Sequence, residues 1–358
     1  MFSEHAFLAL PGFAGRFSTT LKIEGLNPAG SIKLKTARSL VEDLERSGRL
    51  KPGNALIEST SGNLGTALAS VCAAKGYPVT LVTDPNANGA SVRAMRALGA
   101  QVVVVTERDV NGGFLETRID CVRRRLAADP ALIWANQYAN PANPGAHQRH
   151  TAQEIISGFG FPDWLFIGAG TSGTLMGCVR AFRALDAPTR IVAVDSVGSV
   201  TFGSPPQPRH IPGLGSSRPS QLLCDDGSFE KVLIPEAHTV RTCRRVARRY
   251  GLLSGGSTGT VLSAVERLAP VIARGSRVLA LSPDLGDRYL DTIYNNDWVL
   301  ERYGPEVLWS EPSAARPEPA AATPELALER AESAVVRCES AHPHTEPAPG
   351  KEPLIHYA

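Results

Sequence analysis

"WLFIGAGTSGTLMG" (residues 164–177) decides how this chain is read. An apolar run enters it, and Gly168, Gly170 and Gly173 then spell G-x-G-x-x-G. Asp195 follows about twenty residues later, at the end of "RIVAVD", as a dinucleotide fingerprint requires. The glycines let backbone N–H groups approach a phosphate closely at the start of a helix. That physics serves any phosphate-bearing ligand, so the surrounding sequence must identify which one.

On both sides of this stretch, strand-like and helix-like segments alternate. "PVTLVTD", "QVVVVT", "LIWANQY", "RIVAVDS", "KVLIPE" and "RVLALSP" are short runs of strand-forming character. Between them, "GASVRAMRALG" reads as a helix ended by Gly99. In "GFLETRIDCVRRRLAADP", Leu115, Ile119, Val122 and Leu126 recur at helical spacing, with Pro130 after the end. Such alternation predicts an α/β fold with parallel sheet. After about Trp309 the chain turns rich in Pro, Ala and Glu, so residues 310–358 are expected to be a largely disordered tail. Within it, "ELALERAESAVVRC" has the pattern of a short docking helix.

The chain has 358 residues, 43% of them hydrophobic, and a formal net charge of +2. That balance gives no footprint for nucleic acid. No apolar run reaches the eighteen or so residues needed to span a bilayer, and no signal peptide opens the chain. The one basic cluster, "RTCRRVARRY", sets Val240, Cys243, Val246, Ala247 and Tyr250 at helical spacing, which predicts arginines on a solvated face. The six cysteines are scattered and none forms C-x-x-C, as expected of reduced thiols in a cytoplasmic protein. His147, His150 and Glu154 could share a helix face. Surface or subunit contacts are the plainer reading, and no metal is expected.

Two more loops repeat the opening pattern. "ESTSGNLGTALAS" (residues 58–70) and "SGGSTGTVLSAVERL" (residues 254–268) each place small residues before a helix. Three such junctions in one α/β chain predict one shared site at the C-terminal ends of the strands. In "LNPAGSIKLKTA" (residues 26–37), Ser31 reads as a helix N-cap, which puts Lys33 in the first turn. A lysine there opposes the helix dipole and should lose its proton more readily, which suits a Schiff-base amine.

Taken together, "NPAGSIK", "STSGN", "GTSGT" and "GGSTG", in this order, resemble the fold-type II pyridoxal-phosphate enzymes of the cysteine synthase group. "GGFLETRI", "WANQYANPAN", "VAVDSVGSVTFG", "PGLGSSR" and "PDLGDRYLD" further resemble the subgroup that makes N-(2-amino-2-carboxyethyl)-L-glutamate. The resemblance spans residues 7–298. It implies a tryptophan synthase β-like fold, with two open parallel-sheet αβα lobes and pyridoxal 5′-phosphate between them. The smaller lobe is then about residues 34–143, and the larger about 1–33 with 144–309. It also implies a homodimer. Residue by residue, Lys33 matches the Schiff-base lysine and Asn63 the partner of the pyridoxal 3′-oxygen. Gly170, Thr171, Ser172, Gly173 and Thr174 match the phosphate loop, and Ser257 the residue at the pyridine nitrogen. Ser59, Thr60, Ser61 and Gly62, with Gln137, match the grip on the substrate carboxylate. Leu34 and Lys35 replace the family's usual Asp-Arg, so altered packing beside the lysine is expected. The usual N-terminal N-T-P segment is also missing.

The implied reaction is β-replacement between O-phospho-L-serine and L-glutamate, toward 2,3-diaminopropionate for a siderophore or antibiotic. Arg218 is a candidate for the donor phosphate or a glutamate carboxylate, since a guanidinium can grip either. A hydroxyl at Ser257 does not keep the pyridine nitrogen protonated as an aspartate would, which favours rapid loss of a β-substituent over transamination. A cysteine synthase using O-acetyl-L-serine and sulfide, or a synthase of another β-substituted alanine, is the alternative within the family. A nicotinamide enzyme accounts for Gly168 and Asp195 but leaves Lys33, Asn63 and the third loop without roles.

Overall fold

A computed structural model describes residues 6–60, 62–110 and 112–308. The sequence reading of residues 310–358, including the docking helix, lies outside them, as does Ser61. The chain runs β1 (Phe7–Ala9), β2 (Ser18–Ile23), α1 (Lys33–Arg46), β3 (Ala55–Ser59), α2 (Asn63–Lys75), β4 (Val79–Thr83) and α3 (Gly89–Ala97). It continues with β5 (Gln101–Val104), α4 (Leu115–Ala128), β6 (Leu132–Trp134), α5 (Ala142–Ala146), α6 (Ala152–Gly158) and β7 (Trp164–Gly168). Then come α7 (Gly173–Arg183), β8 (Arg190–Ser196), β9 (Glu230–Ile234), α8 (Glu236–Tyr250), α9 (Gly256–Leu268), β10 (Arg277–Ser282) and α10 (Asn296–Tyr303).

The strands form two sheets. One has the order β5-β4-β3-β6 and is wholly parallel. The other has the order β1-β2-β10-β7-β8-β9, parallel except for its edge pair β1–β2. Parallel strands covered on both faces should be apolar without alternation. Accordingly all of β4 is buried, as are the first four residues of β7. Helices cover the sheets with apolar stripes. In α1, Ala37, Leu40, Val41 and Leu44 face the core beside β3 and α2. The sequence singled out seven of the ten strands, but not β1, β2 or β3. β2, "STTLKI", buries Thr19, Thr20 and Lys22 between partners, so its composition understates its burial.

Three local expectations change. Ser31 does not cap α1: Ile32 holds that position, and the Ser31 hydroxyl is buried without a hydrogen-bond partner among the described residues. In α8, Val240, Cys243 and Val246 do face the core, but Arg244 is buried with them. It donates to the Ile293 and Tyr294 carbonyls and to Asn296 Oδ1, which meets the need of a buried guanidinium for acceptors. His147, expected at the surface or a subunit contact, is fully buried, and Glu154 is largely covered. Glu154 joins Lys22, Glu24 and Lys35 in a cluster with N–O distances of 2.5–2.8 Å. Lys35, the departure from the family's arginine, is thus held between buried Glu24 and part-exposed Glu154.

Candidate active site

The C-terminal ends of β3, β7 and β10 open onto a cavity of about 600 Å³. In an open parallel sheet this is the place for a ligand. Lys33, Asn63, Ser257 and the loop after β7 all line it. Segments more than 200 residues apart in sequence therefore meet at one place.

Lys33 is the first residue of α1, with the Ile32 N–H tied to the Pro283 carbonyl. No ion pair joins its amine to another described residue, and loss of water lowers its pKa from 10.5 to about 8. The cause is burial, with the helix dipole acting in the same direction.

The loop after β7 has the form of an anion cradle. Ser172 adopts a left-handed conformation (φ 65°) and starts α7. Met176 N–H bonds back to the Ser172 carbonyl at 2.9 Å, and the N–H groups ahead of it in that turn lack an intrahelical acceptor. The Ser172 hydroxyl is buried and unpartnered among the described residues. A Cβ on Gly170 would stand 3.0 Å from the Gly213 carbonyl oxygen, and one on Gly173 2.1 Å from Asn143 Oδ1. Asn143 in turn donates to Thr171 Oγ1 at 3.0 Å. Thr174 Oγ1 lies 3.3 Å from the buried ring of His147. Desolvation first, and then Lys33 and Lys35, hold that ring well below its usual pKa and so neutral. An unsatisfied hydroxyl and free N–H groups around close-packed glycines suit a phosphate monoester.

The remaining sequence candidates divide. Gly62 and Gln137 line the cavity, as does Thr60, whose hydroxyl is already taken by Gly62 N–H and Gly65 N–H. Ser59 is fully buried and absent from the cavity wall: its hydroxyl faces Tyr138, and its carbonyl accepts from Gln137 Nε2 at 2.9 Å. It therefore supports the loop of residues 60–62 from behind. Arg218 lines the cavity and pairs with Glu116 at 3.2 Å. Asp195 is buried at the end of β8, where its Oδ1 accepts from Ser196 N–H at 2.7 Å.

Several cavity residues were not foreseen. Arg118 is only 7% exposed. Its Nε lies at ion-pair distance, 3.3 Å, from Asp84 but makes no aligned hydrogen bond, and its Nη1 has no partner among the described residues. A signal existed: Arg118 falls on the same face of α4 as Leu115, Ile119 and Val122. Arg108, Arg209 and Arg288 also line the cavity, against one acidic residue, Asp84.

Glu58 lies just behind Ser59 and Gln137. It accepts from Ser59 N–H, Trp134 Nε1 and Gln137 N–H at 2.8–3.0 Å. Burial nevertheless raises its pKa from 4.5 to about 7. The native state thus keeps a proton that the unfolded chain has released, so this contribution to stability is present below pH 4.5 and lost as pH rises through 7. The loss is on the order of 3 kcal/mol. Glu58→Gln should therefore flatten the fall in stability between pH 5 and pH 8, measured by urea denaturation at both. An unchanged slope would remove Glu58 as its source.

Residues 6–284 match the family described as pyridoxal-phosphate dependent enzyme. The chain is 43% identical over 297 residues to N-(2-amino-2-carboxyethyl)-L-glutamate synthase of Ralstonia nicotianae, covering 82% of this chain and 88% of that one. It is 44% identical over 282 residues to the synthase of the same name from Cupriavidus metallidurans, covering 78% and 83%. Among solved structures, O-ureido-L-serine synthase superposes with a TM-score of 0.76 at 30% identity, covering 84% of this chain and 97% of that one. O-acetylserine-dependent cystathionine β-synthase from Helicobacter pylori gives 0.76 at 26%, covering 82% and 97%.

Proposed function

The chain belongs to the pyridoxal-phosphate dependent enzyme family, and we propose that it joins the β-carbon of O-phospho-L-serine to the amino nitrogen of L-glutamate. The Cβ–O bond to phosphate breaks and a Cβ–N bond forms. Inorganic phosphate leaves, the attacking nitrogen releases a proton, and the product is N-(2-amino-2-carboxyethyl)-L-glutamate.

The observation that carries this reading is the charge of the cavity: five arginines and Lys33 against Asp84 among the described lining residues, with Glu116 pairing one of them, Arg218. A neutral donor such as O-acetyl-L-serine with sulfide needs no such excess. Two acidic substrates do, because each phosphate or carboxylate loses its water on entry and must find charged donors. The names of the Ralstonia and Cupriavidus relatives agree.

Bound pyridoxal phosphate supplies the electron sink. The chain supplies position and proton transfer. Lys33 Nζ holds the cofactor and then takes the proton from the substrate Cα, a role that its lowered pKa suits. Ser172 Oγ and the first N–H groups of α7 hold the cofactor phosphate. Asn63 would hydrogen-bond its phenolic oxygen, and Ser257 would serve its ring nitrogen. Gly62, Gln137 and Thr60, braced by Ser59, orient the substrate carboxylate so that the Cα–H bond faces Lys33. Arg118 binds the donor phosphate and Arg218 an acceptor carboxylate. The lobe of residues 34–143 and the lobe of residues 1–33 with 144–309 hold the cofactor between them. We also assign the enzyme to the cytoplasm, as a homodimer serving 2,3-diaminopropionate supply for a siderophore or peptide product.

The test is mass spectrometry of the product, with donors and acceptors crossed. O-phospho-L-serine with L-glutamate should give the fastest turnover. Faster turnover of O-acetyl-L-serine with sulfide overturns the proposal. Arg118→Met should raise KM for O-phospho-L-serine about 10- to 100-fold, the value of one charged bidentate contact. The variant should leave cofactor affinity unchanged. An equal loss of affinity for cofactor and donor would show that Arg118 acts only through the fold.

A further inference from the structure

The Asn63 side chain is gripped from two sides. Its Nδ2 donates to Asp284 Oδ2 at 2.7 Å, and its Oδ1 accepts from Arg288 Nη1 at 2.7 Å. An arginine can only donate, and an ionised aspartate can only accept. Flipping the amide would set donor against donor and acceptor against acceptor. The polarity of Asn63 is therefore dictated by its partners, and one N–H of Nδ2 remains uncommitted by them.

Both partners are themselves held. Tyr289 OH donates to Asp284 Oδ2 at 2.6 Å. Arg288 Nη2 donates to the Ala29 carbonyl at 2.7 Å, and the Arg288 carbonyl accepts from Asn88 Nδ2. The guanidinium lies over Gly30, whose φ is +66° and where a Cβ would come within 2.6 Å of Nη2. One planar group thus ties Asn63 to the turn that leads into Lys33. In pyridoxal, the aldehyde carbon and the phenolic oxygen are on adjacent ring atoms. A lysine for the first and an amide for the second must be presented at one fixed separation.

We propose that Arg288 and Asp284 are positioning residues that fix the amide polarity of Asn63 and its spacing from Lys33, so that Asn63 offers the cofactor only a hydrogen-bond donor. This rests on the reading above that Lys33 and Asn63 hold the cofactor. A lysine at position 288 keeps the charge but cannot span Asn63 Oδ1 and the Ala29 carbonyl with one rigid fork.

The experiment measures cofactor dissociation constants on apoprotein and the ratio of visible to near-ultraviolet cofactor absorbance, for Asn63→Ala, Arg288→Met, Arg288→Lys and the double variant Asn63→Ala/Arg288→Met. Each single variant should weaken cofactor binding at least tenfold and lower the absorbance ratio. In the Asn63→Ala background, Arg288→Met should cost less than twofold more, because its action passes through Asn63. Additive losses overturn the proposal, as does an unchanged ratio in Arg288→Lys. If Asn63→Ala itself changes neither quantity, the assignment of Asn63 to the cofactor fails instead. Should Arg288→Met not fold, the Arg288→Lys pair with Asn63→Ala carries the same comparison.

Discussion

Lys33→Ala is expected to lower turnover by about three orders of magnitude or more, since in the proposed reaction one group both carries the cofactor and moves the Cα proton. The protein should still fold, because the Lys33 amine makes no ion pair with another described residue. Borohydride reduction of the holoenzyme followed by peptide mass analysis should find the cofactor on Lys33 in the wild type and nowhere in the variant. A variant that kept full turnover would refute the assignment. The pKa of about 8 adds a pH signature. At pH 7.5 roughly a quarter of Lys33 is the neutral amine, against about 0.1% for an ordinary lysine. Capture of added pyridoxal phosphate by apoprotein should therefore quicken as pH rises toward 8 and then level off. Continued acceleration to pH 10 would show an ordinary amine.

The second large effect concerns Gly173. A leucine there places Cβ 2.1 Å from Asn143 Oδ1 before the rest of the side chain is counted. Asn143 cannot simply yield, because it is buried and donates to the Gln137 carbonyl at 2.8 Å as well as to Thr171. The start of α7 must then move, and with it the N–H groups of the cradle. Cofactor content of purified Gly173→Leu should fall below a tenth of wild type, with a stability cost of about 1–3 kcal/mol from overpacking. Asp195→Asn is the contrasting case. It keeps an acceptor for Ser196 N–H and should leave cofactor content intact, although the dinucleotide pattern would give that residue a leading role. Loss of cofactor in Asp195→Asn with retention in Gly173→Leu would reverse the reading of the loop.

Most helices and strands were legible because their signals are local. Leu115, Ile119 and Val122 repeat at helical spacing, and runs such as "VTLVT" need no partner to be recognised. Ser31 misled because its type suits a cap, yet the turn before α1 is held by the Pro283 carbonyl from the far end of the chain. Arg244 misled because a charged residue reads as solvated until the acceptors at residues 293–296 are known.

Glycine placement before three helices and a lysine in a first turn pointed, from sequence alone, to one shared anion-binding site with an amine at it, and these segments do line one cavity. Those properties belong to short stretches of backbone, where one residue type answers one conformational demand. Only the tertiary structure decided what surrounds them. The buried, half-partnered Arg118, the three donors on Glu58 and the grip of Asp284 and Arg288 on Asn63 all join segments distant in sequence. A side chain's charge, tilt and proton affinity depend on such neighbours and on the water they exclude, and neither is written in the local pattern.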